Sequence, residues 1–190
     1  MATAVSICSN TLQALGAKPI NSFDERTEHA RLCANIYPDL RDELLRAHPW
    51  KCAIKRVQLA PLATKPAFDF NYQFELPGDW LRNIQVGNKG NSLEYRLEGR
   101  MILANVTVLP LVYIWRNGVE QSWHSHLVTL AELLVGGRIA YAVTKSTSVR
   151  DSWRDEYARA LKVAKAIDGQ DDPPEEFEEG TLLESRFTTR

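Results

Sequence analysis

His124-Ser125-His126 is the closest pairing of metal-capable side chains in this sequence. Two residues apart on a helix, side chains point about 200° from one another. The imidazoles then cannot share an ion as an i, i+4 pair would. Glu120 lies four residues before His124, but the spacing marks no third ligand, so no metal centre is expected. No serine sits in a Gly-x-Ser-x-Gly elbow, and no nucleophile is marked beside a base. The densest carboxylate cluster is Asp171, Asp172, Glu175, Glu176, Glu178 and Glu179, in a proline-containing tail. Acid–base catalysis needs carboxylates held at a fixed separation with different pKa values, which a solvated run does not provide. The cluster also lacks the spaced ligands and glycine of an EF-hand. The expectation is a protein without catalytic, cofactor-binding or metal-binding residues, and not an enzyme.

Gly87-Asn88-Lys89-Gly90-Asn91 resembles a phosphate-binding loop only in composition. It lacks the Gly-x-x-x-x-Gly-Lys-Ser/Thr spacing and opens no helix, so it reads as a hairpin turn. Lys51, Lys55 and Arg56 lie near Trp50, and Arg96 and Arg100 bracket a turn. These cations could face phosphates. No nucleic-acid-binding motif frames them, so a module that binds nucleic acid without sequence specificity is the alternative reading. The five tryptophans, Trp50, Trp80, Trp115, Trp123 and Trp153, suit core positions or an oligomer interface.

These residues are carried by 190 residues that are 44% apolar and 25% charged, enough for one domain with a filled core. No apolar run approaches the roughly 18 residues of a membrane span, and no secretory signal is visible at the N-terminus. Cys8, Cys33 and Cys52 cannot all pair among themselves and match no zinc spacing, which favours a protein made in a reducing cytoplasm. The net charge of −1 hides an asymmetry. Residues 168–190 hold eight acids and two bases, while the rest is mildly basic. Such a tail is either an arm for contacts or a solvated end.

Helical periodicity predicts four helices, at 4–15, 24–47, 119–143 and 148–167. Thr3 is the expected cap of the first and Gly16 its stop. Pro38 inside the second predicts a kink or two abutting helices. Trp123, Leu127, Leu130 and Leu134 form the seam of the third. Gly136-Gly137 within it either breaks the helix or admits another backbone closely. The fourth carries Trp153, Tyr157, Ala160/Leu161, Ala164 and Ile167 on one face, and Gly169 is its expected stop. Between the helix pairs, residues 51–116 hold short β-prone runs punctuated by proline and glycine, the pattern of antiparallel hairpins. Pro110 in the run 106–114 predicts a bulge or an edge there. The fold class is therefore α+β: a mainly helical bundle of about four helices with an inserted antiparallel β-region, spanning 4–167, and an extended acidic C-terminal arm at 168–190.

Ala14-Leu15-Gly16-Ala17 with Pro19-Ile20, Leu44-Leu45-Arg46-Ala47-His48-Pro49-Trp50, and Tyr72-x-Phe74-x-Leu76-Pro77-x-Asp79-x-Leu81-Arg82 stand in the N-terminal half. Ala53-x-Lys55-Arg56-x-x-Leu59-Ala60 lies between the last two. In the C-terminal half follow Leu127-x-x-Leu130-Ala131, Ala140-x-x-Val143-Thr144-Lys145-Ser146 and Tyr157-x-x-Ala160-Leu161-x-x-Ala164. In order and spacing these resemble the head-to-tail adaptor of short-tailed bacteriophages, the tail tubular protein A family, over about residues 4–187. The resemblance implies a virion structural protein of the tail or neck, synthesised in the host cytoplasm. It implies a ring, typically of twelve copies, joining the portal protein to the tail nozzle protein around the channel through which packaged DNA passes. It further implies that the C-terminal segment reaches onto the portal, with Leu182, Leu183 and Phe187 as its anchors.

Overall fold

Thr3 and Ser6 cap the first helix reciprocally. The Thr3 hydroxyl accepts from the Ser6 amide at 3.0 Å and the Ser6 hydroxyl accepts from the Thr3 amide at 2.8 Å. Two donors that a first turn leaves open are thereby satisfied. This helix, α1, spans Ala4–Ala14, and Gly16 turns the chain away from it at φ +78°. In the computed structural model, which describes residues 1–90 and 92–170, α2 spans Glu28–Arg46. It starts later than residue 24 because Thr27 is its cap, the hydroxyl accepting from the Ala30 amide at 3.2 Å. Pro38 lies within one continuous helix, not between two.

A single 3₁₀ turn, Lys51–Ala53, leads into six strands: β1 (Ile54–Leu59), β2 (Tyr72–Glu75), β3 (Trp80–Val86), β4 (Tyr95–Glu98), β5 (Met101–Ala104) and β6 (Leu109–Trp115). After a second 3₁₀ turn, Glu120–Ser122, come α3 (Ser125–Thr144) and α4 (Thr147–Gln170). The fold is α+β, as the alternation of periodicities indicated.

The strands form two antiparallel three-stranded sheets, ordered β1-β6-β3 and β2-β5-β4. The chain switches sheets at almost every connection, so only β4 and β5 are joined as a tight hairpin, through Gly99-Arg100. Gly99 takes φ +58° at the first central position, as such two-residue turns favour. The 87–91 segment joins strands of different sheets, which corrects its reading as a hairpin turn. Pro110 also departs from expectation, because β6 is the central strand of its sheet. The Pro110 carbonyl accepts from the Gly87 amide at 2.8 Å. A strand residue's nitrogen and carbonyl face the same side, so its missing donor points past Val86, the last paired residue of β3. No bond of the β1–β6 ladder is lost. The register shifts fall on β3 instead, between Trp80 and Arg82 and between Asn83 and Gln85.

Two cores result. Phe74, Ile102 and Ala104 of one sheet meet Leu109, Leu111 and Tyr113 of the other. The second core gathers Ile7, Leu12, Cys33, Leu44, Trp50, Leu127 and Leu130 from the helices and their connections. Ile114 and Leu81 of the sheet belong to it as well, which fastens the β-region to the bundle. α3 is the axis of the bundle, contacting α1, α2 and α4. Among the described residues it is the one helix long and apolar enough to cross a membrane. Nine of its residues are buried within the protein, the composition expected of a core helix. All five tryptophans are buried or half-buried, and the three cysteines are free.

Candidate docking interface

The α3–α4 hairpin positions the C-terminus. Lys145, left-handed at φ +58°, ends α3 with its amide donating to the Tyr141 carbonyl at 2.9 Å, and α4 returns along α3. Gly136-Gly137 neither breaks α3 nor weakens it idly. The Trp153 indole of α4 occupies the space where a Cβ on Gly136 would stand. The glycine pair is the close approach, made by an aromatic side chain.

Below Trp153 the α4 seam runs through Tyr157, Ala160, Leu161 and Ala164, as periodicity indicated. Its last position differs. Ile167 is 41% exposed, and the buried residue is Asp168. A carboxylate in that place needs donors. Asp168 accepts from the Lys51 backbone amide at 3.4 Å, and its other oxygen lies 3.3 Å from His48 Nε2. This clasp holds the end of α4 against the start of the β-region and carries the helix past Gly169 to Gln170. A lone acid four residues after Ala164, in register with an apolar seam, was the available signal for it.

His48 continues into an aromatic cluster. Its ring meets Trp50 edge-on at 4.7 Å, and Trp50 lies 6.0 Å from His126. His126 and His124 are 5.5 Å apart, which corrects the expectation that they diverge. His124 is the extended residue before α3, with φ −66° and ψ 151°, so helical geometry does not govern its direction. Among the described residues no three His, Cys, Asp or Glu side chains gather as a metal site. Burial holds the His48 pKa below its usual value despite the opposing attraction of Asp168. The folded protein therefore resists protonation that the unfolded chain accepts. The stability difference is complete above about pH 6.5, the ordinary histidine value, and is lost as the pH falls through the lower folded pKa. Thermal unfolding of the protein and of His48→Gln, measured from pH 8 to pH 5, should show the wild type losing more stability below about pH 6.5.

Lys55, Arg56, Arg96 and Arg100 do not form one patch. Lys55 pairs with Asp79 at 2.7 Å and lies 3.6 Å over the Trp115 ring. Arg100 donates to the carbonyls of Leu76 and Pro77 at 3.1 and 2.6 Å. Arg96 is on β4, while Arg56 is on the outer face of β1. Asp79 also accepts from the Tyr113 hydroxyl at 3.0 Å. Burial opposes its charge, but the bonds from Lys55 and Tyr113 prevail and lower its pKa. The buried Glu120 accepts from Tyr37 at 3.1 Å, and burial followed by the Glu120 charge raises the Tyr37 pKa. Sequence inspection marked none of Asp79, Tyr37 and Asp168 as a partner, because each pair is far apart in the chain.

Two exposed apolar surfaces among the described residues bear on docking. Every residue of β4 is exposed, and its outer edge has no strand beside it among the described residues. Tyr95 and Leu97 pair with buried Ala104 and Ile102, yet are themselves 40% and 45% exposed. On α4, Val163 and Ile167 are exposed near the helix's C-terminal end at Gln170. Leu182, Leu183 and Phe187 lie outside the described residues. The chain matches no protein-family model and no curated protein.

Proposed function

We propose that this chain is a head-to-tail adaptor of the short-tailed phage type, a non-enzymatic virion protein. In this reading, copies of it form a ring, typically of twelve, that joins the portal to the tail nozzle around the DNA channel. The observation that carries the reading is the exposed β4 ledge on a β-region inserted between two helix pairs. A ring needs a surface that meets a different surface on the next copy and closes by rotation. An unpaired strand edge with Tyr95 and Leu97 beside it offers backbone donors and acceptors together with apolar area. The order and spacing of the quoted motifs support the same assignment.

Portal docking falls to the C-terminal segment, with Leu182, Leu183 and Phe187 as anchors. Packaged DNA passes without sequence-specific contact. Lys55 and Arg100, two of the cations that would suit a nucleic-acid-binding module, are engaged within the β-region. Light scattering after size exclusion is the test, with the protein alone and then mixed with portal. The expected result is a species near 21.5 kDa that enters a large stoichiometric complex only when portal is present. Removing residues 171–190 should abolish complex formation while leaving the helical circular dichroism signal of residues 1–170 in place. A small oligomer that ignores portal overturns the adaptor reading, and unchanged binding by the truncated chain overturns the role of the arm.

A further inference from the structure

The outer face of the β1-β6-β3 sheet is divided in two. At one end Ile114 and Leu81 are buried against the helices. At the other lies an open groove of about 370 Å³, floored by Pro110 and Val112 and rimmed by Arg56, Gln58, Gln85 and Lys89. Among the described residues no carboxylate lines it. Arg82 adds a third cation to the same face, because it pairs with Ile114 while Arg56 and Gln85 both pair with Val112. Its Nε is buried without a hydrogen-bond partner among the described residues. Neither Arg56 nor Lys89 has an ion-pair partner among those residues. Cations gathered on a concave face without counter-charge favour a polyanion.

The chain carries one close by. α4 ends at Gln170, and the Asp168 clasp on Lys51 fixes that end at the entrance to β1. From Lys51 to Arg56 the chain covers about 15 Å, through a 3₁₀ turn and the first strand residues. Residues 171–179 hold six carboxylates, Asp171, Asp172, Glu175, Glu176, Glu178 and Glu179. Nine residues span at most about 30 Å. The carboxylates are therefore tethered within reach of the groove. We propose that the acidic run 171–179 docks in the Arg56–Lys89 groove of its own subunit, held by charge and released by salt. The inference is independent of the adaptor reading, since it rests on the groove, the charge and the place where α4 ends.

Zero-length carbodiimide coupling of the dilute full-length protein, followed by proteolysis and mass spectrometry, tests it. Such coupling joins an amine to a carboxylate only where the two touch. The expected product is an amide between Lys89 and one of Glu175, Glu176, Glu178 or Glu179 within a single chain. Its yield should fall at least five-fold on going from 10 mM to 1 M salt, as the screening length shortens from about 30 Å to about 3 Å. Arg56→Glu, an exposed substitution, should reduce it to a similar extent with the circular dichroism spectrum unchanged. No Lys89 adduct with the run, or a yield indifferent to Arg56→Glu, overturns the proposal. Adducts confined to covalent dimers overturn it in favour of a neighbour's groove. A fluorescent single-stranded oligonucleotide that binds the full chain and is lost in Arg56→Glu, with no Lys89 adduct formed, overturns it in favour of a nucleic-acid site.

Discussion

Gly136→Val is expected to destabilise the protein by about 3 kcal/mol or more, at the upper end of overpacking costs. At this size that corresponds to roughly 6–12 °C in Tm. A Cβ at this position would fall within the Trp153 ring, and neither the indole nor the α3 backbone can turn aside as a flexible side chain would. Relief requires α4 to lift from α3, which uncovers Tyr157, Leu161 and Ala164 in succession. The neighbouring glycine is the control. A Cβ on Gly137 meets the Arg154 Cγ at 3.3 Å, and that side chain can move by a few tenths of an ångström. Alanine is favoured over glycine inside a helix by about 1 kcal/mol. Gly137→Ala should therefore be near neutral or stabilising, while Gly136→Ala is destabilising despite the same gain. Denaturant unfolding of both variants checks this, and equal midpoints for the two would refute the role given to Trp153. Trp153→Ala combined with Gly136→Ala should cost less than the sum of the single changes, because the clash is shared.

Trp50→Ala is expected to cost about 3–5 kcal/mol, the range for removing a large buried aromatic. The side chain is 1% exposed, and its Nε1–H donates to the Leu44 carbonyl at 2.9 Å near the end of α2. Its ring meets those of His48 at 4.7 Å and His126 at 6.0 Å. It thus joins the end of α2, the start of α3 and, through the His48–Asp168 contact, the end of α4. Domains are stable by only about 5–15 kcal/mol, so this variant should be partly unfolded at mild denaturant concentrations. Trp50→Phe keeps most of the apolar area and loses the donor, so a smaller cost of about 1 kcal/mol is expected. A Trp50→Ala variant with an unshifted unfolding midpoint would contradict this account. Loss of Trp50 should also diminish the histidine-dependent part of the pH profile, because the ring that buries His48 is gone.

The order of elements was legible in the chain because each depends on local pattern. Val5, Cys8 and Leu12 recur at helical spacing around a Thr3 cap, and the proline- and glycine-punctuated middle could not continue a helix. The α4 seam was legible down to Ala164 for the same reason. What periodicity does not encode is which apolar stripe meets which, and that decided the rest. Strands that alternate in sequence were sorted into two sheets by long-range pairing, so β6 became central despite Pro110. His124 and His126 came together because a helix began one residue after His124, a boundary set by packing. The glycine pair left two outcomes open until an indole 17 residues away filled the gap. Asp168 looked like the first acid of the tail, and only the approach of His48 and Lys51 made it part of the core. A helix-pair, β-region, helix-pair chain with an acidic end follows from local pattern, since hydrophobic period and turn chemistry act over a few residues. Tertiary structure alone decided where charge is buried and which edges stay open, because those depend on contacts between residues up to more than a hundred positions apart.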